Sequence, residues 1–487
     1  MSATRLSAAV RPALPSASAL HLARRFTSGI DEQVLRDIRA AGSAGAWFDQ
    51  QLRPGRIPDP RGDAVLGWYP RLKDAPAVAW KNNTGGTYGS WEYGQDLVSC
   101  SLARQIVSRR QVKEVMVDFW SNLLHIPAGE DRSFPWRRAY DDVIRANALG
   151  SFRLLLRRAV LHPAMSGWLN NSSNTRRGIN ENLGRELLEL YTVGRPAGYD
   201  EDDVQGSARL LTGFHVNVFQ DFAASYVPDD HWVGRVEVLG FTHANSSKDG
   251  RAAVNAYLDH LARHPATAKR IARRLCVRFV ADEPSSAIVA AVAKAYRTSD
   301  TSIPATLRAL VKHPDFARSR RTKVRTPVED VVCTARVLGM RPTGSGDQSF
   351  ARQLLWMSQS MGQTPFGWPR PDGYPETSST WTSPARILRT WDIHYSMAGG
   401  WWHPTELSVT SKASSLPTTW PRTLGELVEH QSRMLLGTTS TSRVRQAVAT
   451  VLDRPESSSF ASAGAVSDWA WTVIRSTVLN TPEGMLR

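Results

Sequence analysis

Apolar residues recur every three or four positions through most of this sequence, and that spacing constrains the fold more than any other feature. Side chains spaced in this way lie on one face of an α-helix. The pattern covers residues 251–262, 265–279, 284–296, 304–311 and 328–338. Proline at or near the start of several of these segments suits the first helical turn, whose amide hydrogens have no partner within the helix. The chain is therefore predicted to be mainly α.

The rest of the chain completes this architecture. The apolar pattern predicts one long helix from residue 96 to about 127 and another over 138–161. Alternating apolar residues, Phe214, Val216 and Val218 and then Val236 and Val238, predict one two-stranded ribbon within 214–240. We expect a multi-helical globular protein with one small β-hairpin. Residues 21–480 are predicted to form a single helical domain, with an internal boundary near 340–348 as the alternative.

The first twenty residues are predicted to be a disordered leader. They are rich in Ala, Ser and Arg, no acidic residue precedes Asp31, and the composition resembles a transit peptide or a functionless leader. They lack the continuous apolar segment of a secretory signal. No run in the chain approaches the roughly 18–20 apolar residues that span a bilayer. We therefore expect a soluble protein that is cytoplasmic or exported by a non-classical route.

Net charge and aromatic content limit the kinds of partner that the protein can bind. Lys and Arg number 60 against 45 Asp and Glu, a formal net charge of +15. Such an excess fits an anionic partner such as nucleic acid, polysaccharide or a membrane surface. The basic residues are spread along the chain, which favours a solvated basic surface over a nucleic-acid site. The 17 Trp residues indicate aromatic packing or a stacking surface.

Common catalytic signatures are missing from the sequence. Cys100, Cys276 and Cys333 are far apart and indicate neither a disulfide framework nor a zinc site. No Walker loop, dinucleotide-binding glycine motif, G-x-S-x-G elbow or H-E-x-x-H pair occurs in the required context. Nucleotide-dependent, serine-hydrolase and zincin chemistries are therefore disfavoured.

Residues 170–213 hold most of the informative polar residues. Asn180 is predicted to cap a helix that begins at Glu181 and ends at Gly194. On it, Glu181, Arg185 and Glu189 fall at i, i+4 and i+8 and share one face, with Asn182 and Glu186 beside them. A second helix begins at Asp200, with Asp203 completing a capping box, and ends at Gly213. The two helices form a hairpin with a carboxylate and amide surface.

This hairpin supports two interpretations. Its acidic residues could hold a divalent cation or act as a paired acid and base. The candidate catalytic or metal-binding residues are Glu181, Glu186, Glu189, Asp203 and His215, with His231 as an alternative to His215. The other interpretation is structural, because Glu and Arg at i, i+4 are common on exposed helices. If Arg185 is buried between two carboxylates, its replacement by Ala should cost about 3 kcal/mol or more.

A loop over residues 362–381 mixes aromatic, Pro and Gly residues in a way that suits stacking against sugar rings or planar groups. Loops of this composition also cover a core. The predicted substrate-binding residues combine three side chains of this loop with one arginine and three asparagines from earlier in the chain. They are Asn122, Asn174, Asn182, Arg185, Trp368, Asp372 and Tyr374.

Several long motifs resemble domain-of-unknown-function family 1800 (DUF 1800). They are FWSNLL from Phe119, YDDVIRANALGSF from Tyr140, HPAM from His162, NENLGRELLELYTVG from Asn180, DEDDVQGSARLLTGF from Asp200, HPATAKRIARRLCVRFV from His264 and GQTPFGWPRPDGYPE from Gly362. The resemblance covers nearly the whole chain. It implies a bacterial, largely α-helical protein, often secreted and encoded beside a sulfatase-like or alkaline-phosphatase-like protein.

The chain departs from that family pattern at two positions. Leu123 and Tyr191 stand where the resemblance leads us to expect histidines. His125 replaces the first of them only if the helix has ended, because a shift of two positions turns a helical side chain by about 200°. Three hypotheses remain: an enzyme, or a protein derived from one, that acts on an envelope or extracellular polymer through the hairpin; a non-catalytic scaffold for the sulfatase-like partner; and, least favoured, a nucleic-acid binder.

Overall fold

A computed structural model describes residues 14–346, 349–401 and 406–487. These residues form 25 α-helices and four two-stranded antiparallel sheets, which confirms the mainly α prediction. The helices begin with strong local signals: Ser, Thr, Asp or His caps many of them, and Pro occupies the first turn of ten or more. None of the helices in the described part of the chain is long and apolar enough to cross a membrane.

Ten helices precede the central hairpin: α1 (Ala17–Phe26), α2 (Glu32–Ala40), α3 (Ala44–Gln51), α4 (Pro60–Ala64), α5 (Pro76–Thr84), α6 (Ser90–Val107), α7 (Gln111–Leu123), α8 (Phe134–Asn147), α9 (Phe152–Val160) and α10 (Pro163–Trp168). Helix α1 begins within the predicted leader, with Ser16 as its cap. Residues 1–13, the remainder of that leader, lie outside the described residues.

Two predicted long helices are each divided, and tertiary contacts explain why. The helix expected from residue 96 is split between α6 and α7, because buried Asp59 accepts hydrogen bonds from Ser108 Oγ at 2.5 Å and from the Arg109 amide at 3.1 Å. The helix expected over 138–161 is split between α8 and α9, where the Phe152 amide donates to Thr301 O at 2.9 Å. Apolar spacing continued through both breaks, so periodicity alone did not detect them.

The remaining helices are α11 (Asn182–Glu186), α12 (Glu201–Leu210), α13 (Arg251–Arg263), α14 (Pro265–Phe279), α15 (Ser286–Thr298), α16 (Ile303–Lys312), α17 (Pro314–Arg318), α18 (Pro327–Val337), α19 (Phe350–Ser360), α20 (Pro384–Gly399), α21 (Lys412–Ser415), α22 (Leu424–Leu436), α23 (Ser442–Leu452), α24 (Asp468–Leu479) and α25 (Pro482–Met485). The predicted helices over 251–338 are confirmed to within about two residues.

The predicted ribbon is two hairpins. Strand β1 (Phe214–Val216) pairs with β2 (Ala224–Tyr226), and β3 (Val236–Val238) pairs with β4 (Phe241–His243). The expected pairing of the 214–218 segment with the 233–238 segment is wrong, because each strand pairs with its immediate successor. Between β3 and β4, Leu239 and Gly240 both have positive φ, as a two-residue hairpin turn requires. The other two sheets join β5 (Arg341–Pro342) to β6 (Leu407–Ser408) and β7 (Arg422–Thr423) to β8 (Ser459–Phe460).

Two apolar cores stabilise the protein. The first gathers α1–α3 and α7–α17, and the second gathers α6, α18–α20 and α22–α24. Met340 and Phe350, on either side of the suggested internal boundary, both belong to the second core. The division into domains stays a prediction. The seam between the cores, where α6, α7, α14 and α18 meet the loop that follows α19, holds the charged side chains of Asp118, Arg278, Glu329 and Glu376.

Candidate functional site

The central hairpin departs from the predicted regular helix. Asn180 Oδ1 accepts the Asn182 amide at 3.1 Å, but α11 starts at Asn182, one residue later than predicted, and its cap position is Glu181, which makes no side-chain capping bond. After Glu186 the backbone widens into a π-helical turn, Leu187–Tyr191. Such turns are rare and recur at functional sites. The wider turn rotates every side chain that follows it relative to α11.

That rotation separates two of the predicted partners. Arg185 pairs with Glu181 at 3.0 Å, as expected, and also with Glu201 of α12 at 2.7 Å. Glu189 instead pairs with Arg195 at 2.8 Å and accepts the Tyr199 hydroxyl at 3.3 Å. The predicted shared face of Glu181, Arg185 and Glu189 is therefore wrong for Glu189. The Arg185 side chain is 36% exposed, and the pairs it forms face solvent.

Asn174 and Asp203, unlike Asn182, hold the hairpin in shape. Asn174 is fully buried, donates to Ala208 O at 2.8 Å and accepts the Asn180 amide at 2.9 Å. Asp203 completes the predicted capping box with Asp200 and also accepts the Leu239 amide at 2.8 Å. Asn182 is partnered at most weakly, by Asn170 Oδ1 at 3.5 Å. These contacts give Asn174 and Asp203 a structural part in the arrangement.

The polar contacts of His215 do not include any of the hairpin carboxylates. Its Nε2 is 3.1 Å from Asp230 Oδ2, and its Nδ1 is 3.2 Å from Ser172 O. His231 is buried and bonds to Asn245 Oδ1 at 3.0 Å. Across the described ranges, no group of three or more His, Cys, Asp or Glu side chains is placed to hold a metal ion. The hairpin acids therefore do not form a ready set of ligands.

The aromatic loop is fixed to the end of α7. Asn122 Nδ2 donates to Tyr374 O at 2.9 Å, and Asn122 Oδ1 accepts the Tyr374 amide at 2.7 Å. Between Asp372 and Tyr374, Gly373 has φ of +71°, and a Cβ atom there would lie 2.0 Å from Asn122 O. Only glycine permits this approach. The Trp368 indole donates to Asp372 Oδ1 at 2.7 Å. Four predicted substrate-binding residues are thus brought together: Asn122, Trp368, Asp372 and Tyr374.

His125 joins the same cluster. Helix α7 ends at Leu123, so the condition under which His125 turns toward the site is met. Its Nε2 is 2.8 Å from Trp368 O, and burial lowers its pKa to about 4. The imidazole is therefore neutral at pH 7 and serves as a hydrogen-bonding link between α7 and the loop.

A small polar cavity of about 40 Å³ lies beneath this loop, at the seam between the two cores. It is lined by side chains from α6, α7, α14 and the loop, chiefly Gln105, Asp118, Asn122, His125, Arg278 and Glu376. Its volume suits one or two water molecules. Three of the family motifs, from Phe119, His264 and Gly362, meet here although they are far apart in the chain.

Arg278 is the central charge of the cavity. Its guanidinium lies 2.7 Å from Asp118, 2.8 Å from Glu329 and 3.6 Å from Glu376, and its side chain is 6% exposed. Burial opposes its charge, yet these carboxylates raise its pKa. Burial raises the pKa of Asp118, and Arg278 acts in the opposite sense. Among the described residues no donor hydrogen-bonds to either oxygen of the Glu376 carboxylate.

Sequence reasoning missed Asp118, Arg278, Glu329 and Glu376. Arg278 and Glu376 lie inside motifs that carry the family resemblance, and Asp118 immediately precedes another. These residues could have been found by selecting the ionisable residues within or next to the family motifs. Helical spacing could not supply it, because the four side chains come from separate segments.

The Glu186 carboxylate interacts electrostatically with those of Glu189 and Asp372. Glu186, from the end of α11, is about half-buried. Burial raises its pKa, Glu189 and Asp372 raise it further, and Arg185 and Arg195 act in the opposite sense. No ion pair or side-chain hydrogen bond joins Glu186 to another residue in the described part of the chain. It differs in this respect from Glu181, Glu189 and Asp203.

The two positions of the expected histidines lie in the interior. Leu123 is 3% exposed, within the first core. Tyr191 is fully buried, next to Tyr140, Glu186 and Asp372, and burial raises its pKa well above the usual value. Its hydroxyl has no hydrogen-bond partner among the described residues. Tyr191 thus places a neutral phenol against the carboxylate cluster.

One comparison with known proteins identifies the family, and the other two find no match. A family model described as a protein of unknown function, DUF1800, matches residues 21–486 of this chain. No curated protein and no solved structure matches the chain.

Proposed function

We propose an activity for this protein from its site, because the chain belongs to the family of proteins of unknown function DUF1800 and membership assigns no reaction. We infer that it is an enzyme, or derives from one, that cleaves an envelope or extracellular polymer by acid–base chemistry. The observation that carries this proposal is Glu186: a half-buried carboxyl with no ion-pair partner in the described chain, within electrostatic range of Glu189 and Asp372.

Glu186 and Asp372 are suited to different roles, one as a proton donor and the other as a base or charge stabiliser. Glu186 has a raised pKa because it is buried and faces like charges, so it is the candidate proton donor. Asp372 accepts the Trp368 indole hydrogen and pairs with Arg370 at 2.9 Å, so it is the candidate base or charge stabiliser. Hydrolysis of glycosidic bonds needs such a pair, one carboxyl protonated and the other ionised.

The surroundings support a polymeric substrate. Trp368 and Tyr374 lie 4.9 Å apart between ring centroids, and Arg370 covers the Trp368 ring at 5.2 Å. Aromatic rings of this kind stack on sugar faces. The π-helical turn and the loop approach Glu186 from separate parts of the chain, as expected for a site built on a rigid scaffold.

The test compares Glu186→Gln with a matched control, Glu181→Gln, on the same short helix. Reducing ends released from peptidoglycan, alginate and dextran would be measured with the full-length protein. We expect the Glu186→Gln variant to lose about a hundredfold or more in activity, as expected for a catalytic acid, with an unchanged melting temperature. Equal losses in both variants, or no release by the wild type from any of the three polymers, would refute the proposal.

A second proposal is a non-catalytic scaffold that works with a sulfatase-like or alkaline-phosphatase-like partner. The observation that favours it is the loss of two expected histidines to the buried residues Leu123 and Tyr191. Exposed aromatic side chains on neighbouring helices offer a docking surface: Trp356 of α19 is 52% exposed and Trp391 of α20 is 43% exposed.

This scaffold proposal makes its own prediction. Wild-type protein should retain the sulfatase-like partner on an affinity column, and a Trp356→Ser, Trp391→Ser variant should release it. The Glu186→Gln variant should bind as the wild type does. Retention by the double variant would exclude these aromatics as the docking surface.

A further inference from the structure

A second, larger cavity is lined by the N-terminal helices of the first core and by none of the carboxylates described above. It has a volume of about 590 Å³ and is formed by α1, α2, the start of α3, the end of α16 and α17. This volume is within the range of about 300–1,000 Å³ found for small-molecule sites. Neither the family assignment nor the proposed function uses it.

The walls of this cavity are apolar. They include Leu22 at 5% exposure, Ile38 at 8% and Phe316 at 4%, with Leu35 and Val311 beside them. At the base, the His21 ring packs on the Phe316 ring at 4.4 Å, and His21 Nε2 bonds to Phe316 O. Burial lowers the pKa of His21 to about 4, so the base is uncharged at pH 7. Such a surface accommodates a hydrocarbon chain.

The rim of the cavity is cationic. Arg39 and Arg320 line it and are exposed, and no lining residue is acidic. Neither arginine forms an ion pair with another described residue. The carboxylates nearby are already engaged: Glu32 pairs with Arg36 at 2.7 Å, and Asp49 pairs with Arg308 at 2.6 Å. The rim therefore holds uncompensated positive charge.

Helix α3 adds to that field. Its first residues, Ala44 and Gly45, line the cavity, so the positive end of the helix dipole faces the same space. Two free guanidinium groups and a helix start above an apolar cavity select an anionic head group on an apolar chain. We propose that this cavity binds a single-chain anionic amphiphile, such as a fatty acid or an alkyl phosphate.

The experiment uses the full-length protein and isothermal titration with four ligands of one chain length: dodecanoate, dodecyl phosphate, dodecanol and dodecylamine. Binding of either anion, at least about tenfold tighter than binding of the amine, is expected from the charge of the rim. Preference between the carboxylate and the phosphate identifies the natural head group. Octanoate should bind more weakly than dodecanoate by roughly fourfold for each missing CH₂ group.

Two variants locate the binding. Ala317→Trp fills the cavity from an exposed position, so it should fold normally and abolish dodecanoate binding. Its control is Ala40→Trp, at an exposed position that does not line the cavity. The Arg39→Ala, Arg320→Ala variant should lose the preference for anions, whereas Arg36→Ala should keep it. Absence of dodecanoate binding, equal binding of dodecylamine, or binding that survives Ala317→Trp would overturn the proposal.

Discussion

Arg185 and Arg278 make the same kind of contact in opposite surroundings. Each guanidinium meets more than one carboxylate at about the same distance: Glu181 and Glu201 for Arg185, Asp118 and Glu329 for Arg278. The Arg185 side chain is 36% exposed and that of Arg278 is 6% exposed. Water screens the first cluster more than the second, where Asp118, at 32% exposure, is the carboxylate most open to solvent, so equal distances correspond to unequal energies.

This difference in exposure shows where ion pairs contribute most to the stability of the protein. A solvated ion pair contributes little, because water stabilises its separated charges almost as well. Inside the seam, removal of one partner leaves the others charged and unsolvated. Glu181 and Arg185, which helical spacing singled out, thus belong to the cluster that contributes less to stability. Arg278 belongs to the cluster that contributes more, and it links α14 to α7 and α18.

The largest effect is expected from Arg278→Ala. Because it would remove the ion-pair partner of Asp118 and Glu376, while Glu329 keeps Arg487, we expect it to lower the free energy of unfolding by about 3–5 kcal/mol. Urea denaturation measures this loss. Arg278→Lys should recover only part of it, since lysine cannot span several carboxylates with one planar group. An Arg278→Ala midpoint equal to that of the wild type would show that the seam is hydrated.

The next effect should come from Gly373→Ala, which tests how the loop is attached. The added Cβ would meet Asn122 O, and the positive φ is unfavourable for alanine. We expect a loss of about 2 kcal/mol and faster proteolysis within residues 362–382. Gly362→Ala is the matched control for φ, because Gly362 also has a positive φ but no neighbour within 4 Å of an added Cβ. Equal behaviour of the two variants would mean that contact with Asn122 is unimportant.

A smaller effect is expected from Arg185→Ala. From sequence alone, burial of this arginine suggested a loss of about 3 kcal/mol or more. Its solvent-facing pairs reduce the expected loss to about 1 kcal/mol or less, and added salt should diminish it further. Denaturant midpoints measured in low and high salt check this. A loss as large as that of Arg278→Ala would remove the contrast between the two clusters.

The smallest effect concerns the pH dependence contributed by Glu186. Its folded-state pKa is raised above the ordinary glutamate value of 4.5, so the native state holds the proton more tightly than the unfolded state does. Its contribution to stability is complete below pH 4.5 and is lost as pH rises through the folded pKa. The wild type should therefore lose stability relative to Glu186→Gln over that interval. A difference in unfolding free energy that stays constant between pH 4 and 7 would contradict the raised pKa.

Local sequence signals predicted the helical class and many of its boundaries. The Asp200 capping box and the helix starting at Pro265 lie where their residues placed them. These features depend on contacts within a few residues, which a sequence displays directly. The motifs from His264 and Gly362 also contain two of the four charged seam residues, Arg278 and Glu376, so the family resemblance pointed to residues of the site that helical spacing did not.

The tertiary structure decided the partners. Asp59 divided a helix that periodicity joined, a π-helical turn moved Glu189 away from Arg185, and packing of the 362–382 loop on α7 brought Asp372 toward Glu186. Each of these contacts joins segments distant in sequence or depends on a local backbone irregularity. The sequence determined by itself which side chains could carry charge and which segments would be helical. Burial and proximity settled which charges matter, because the energy of a charge depends on the water and the neighbours around it.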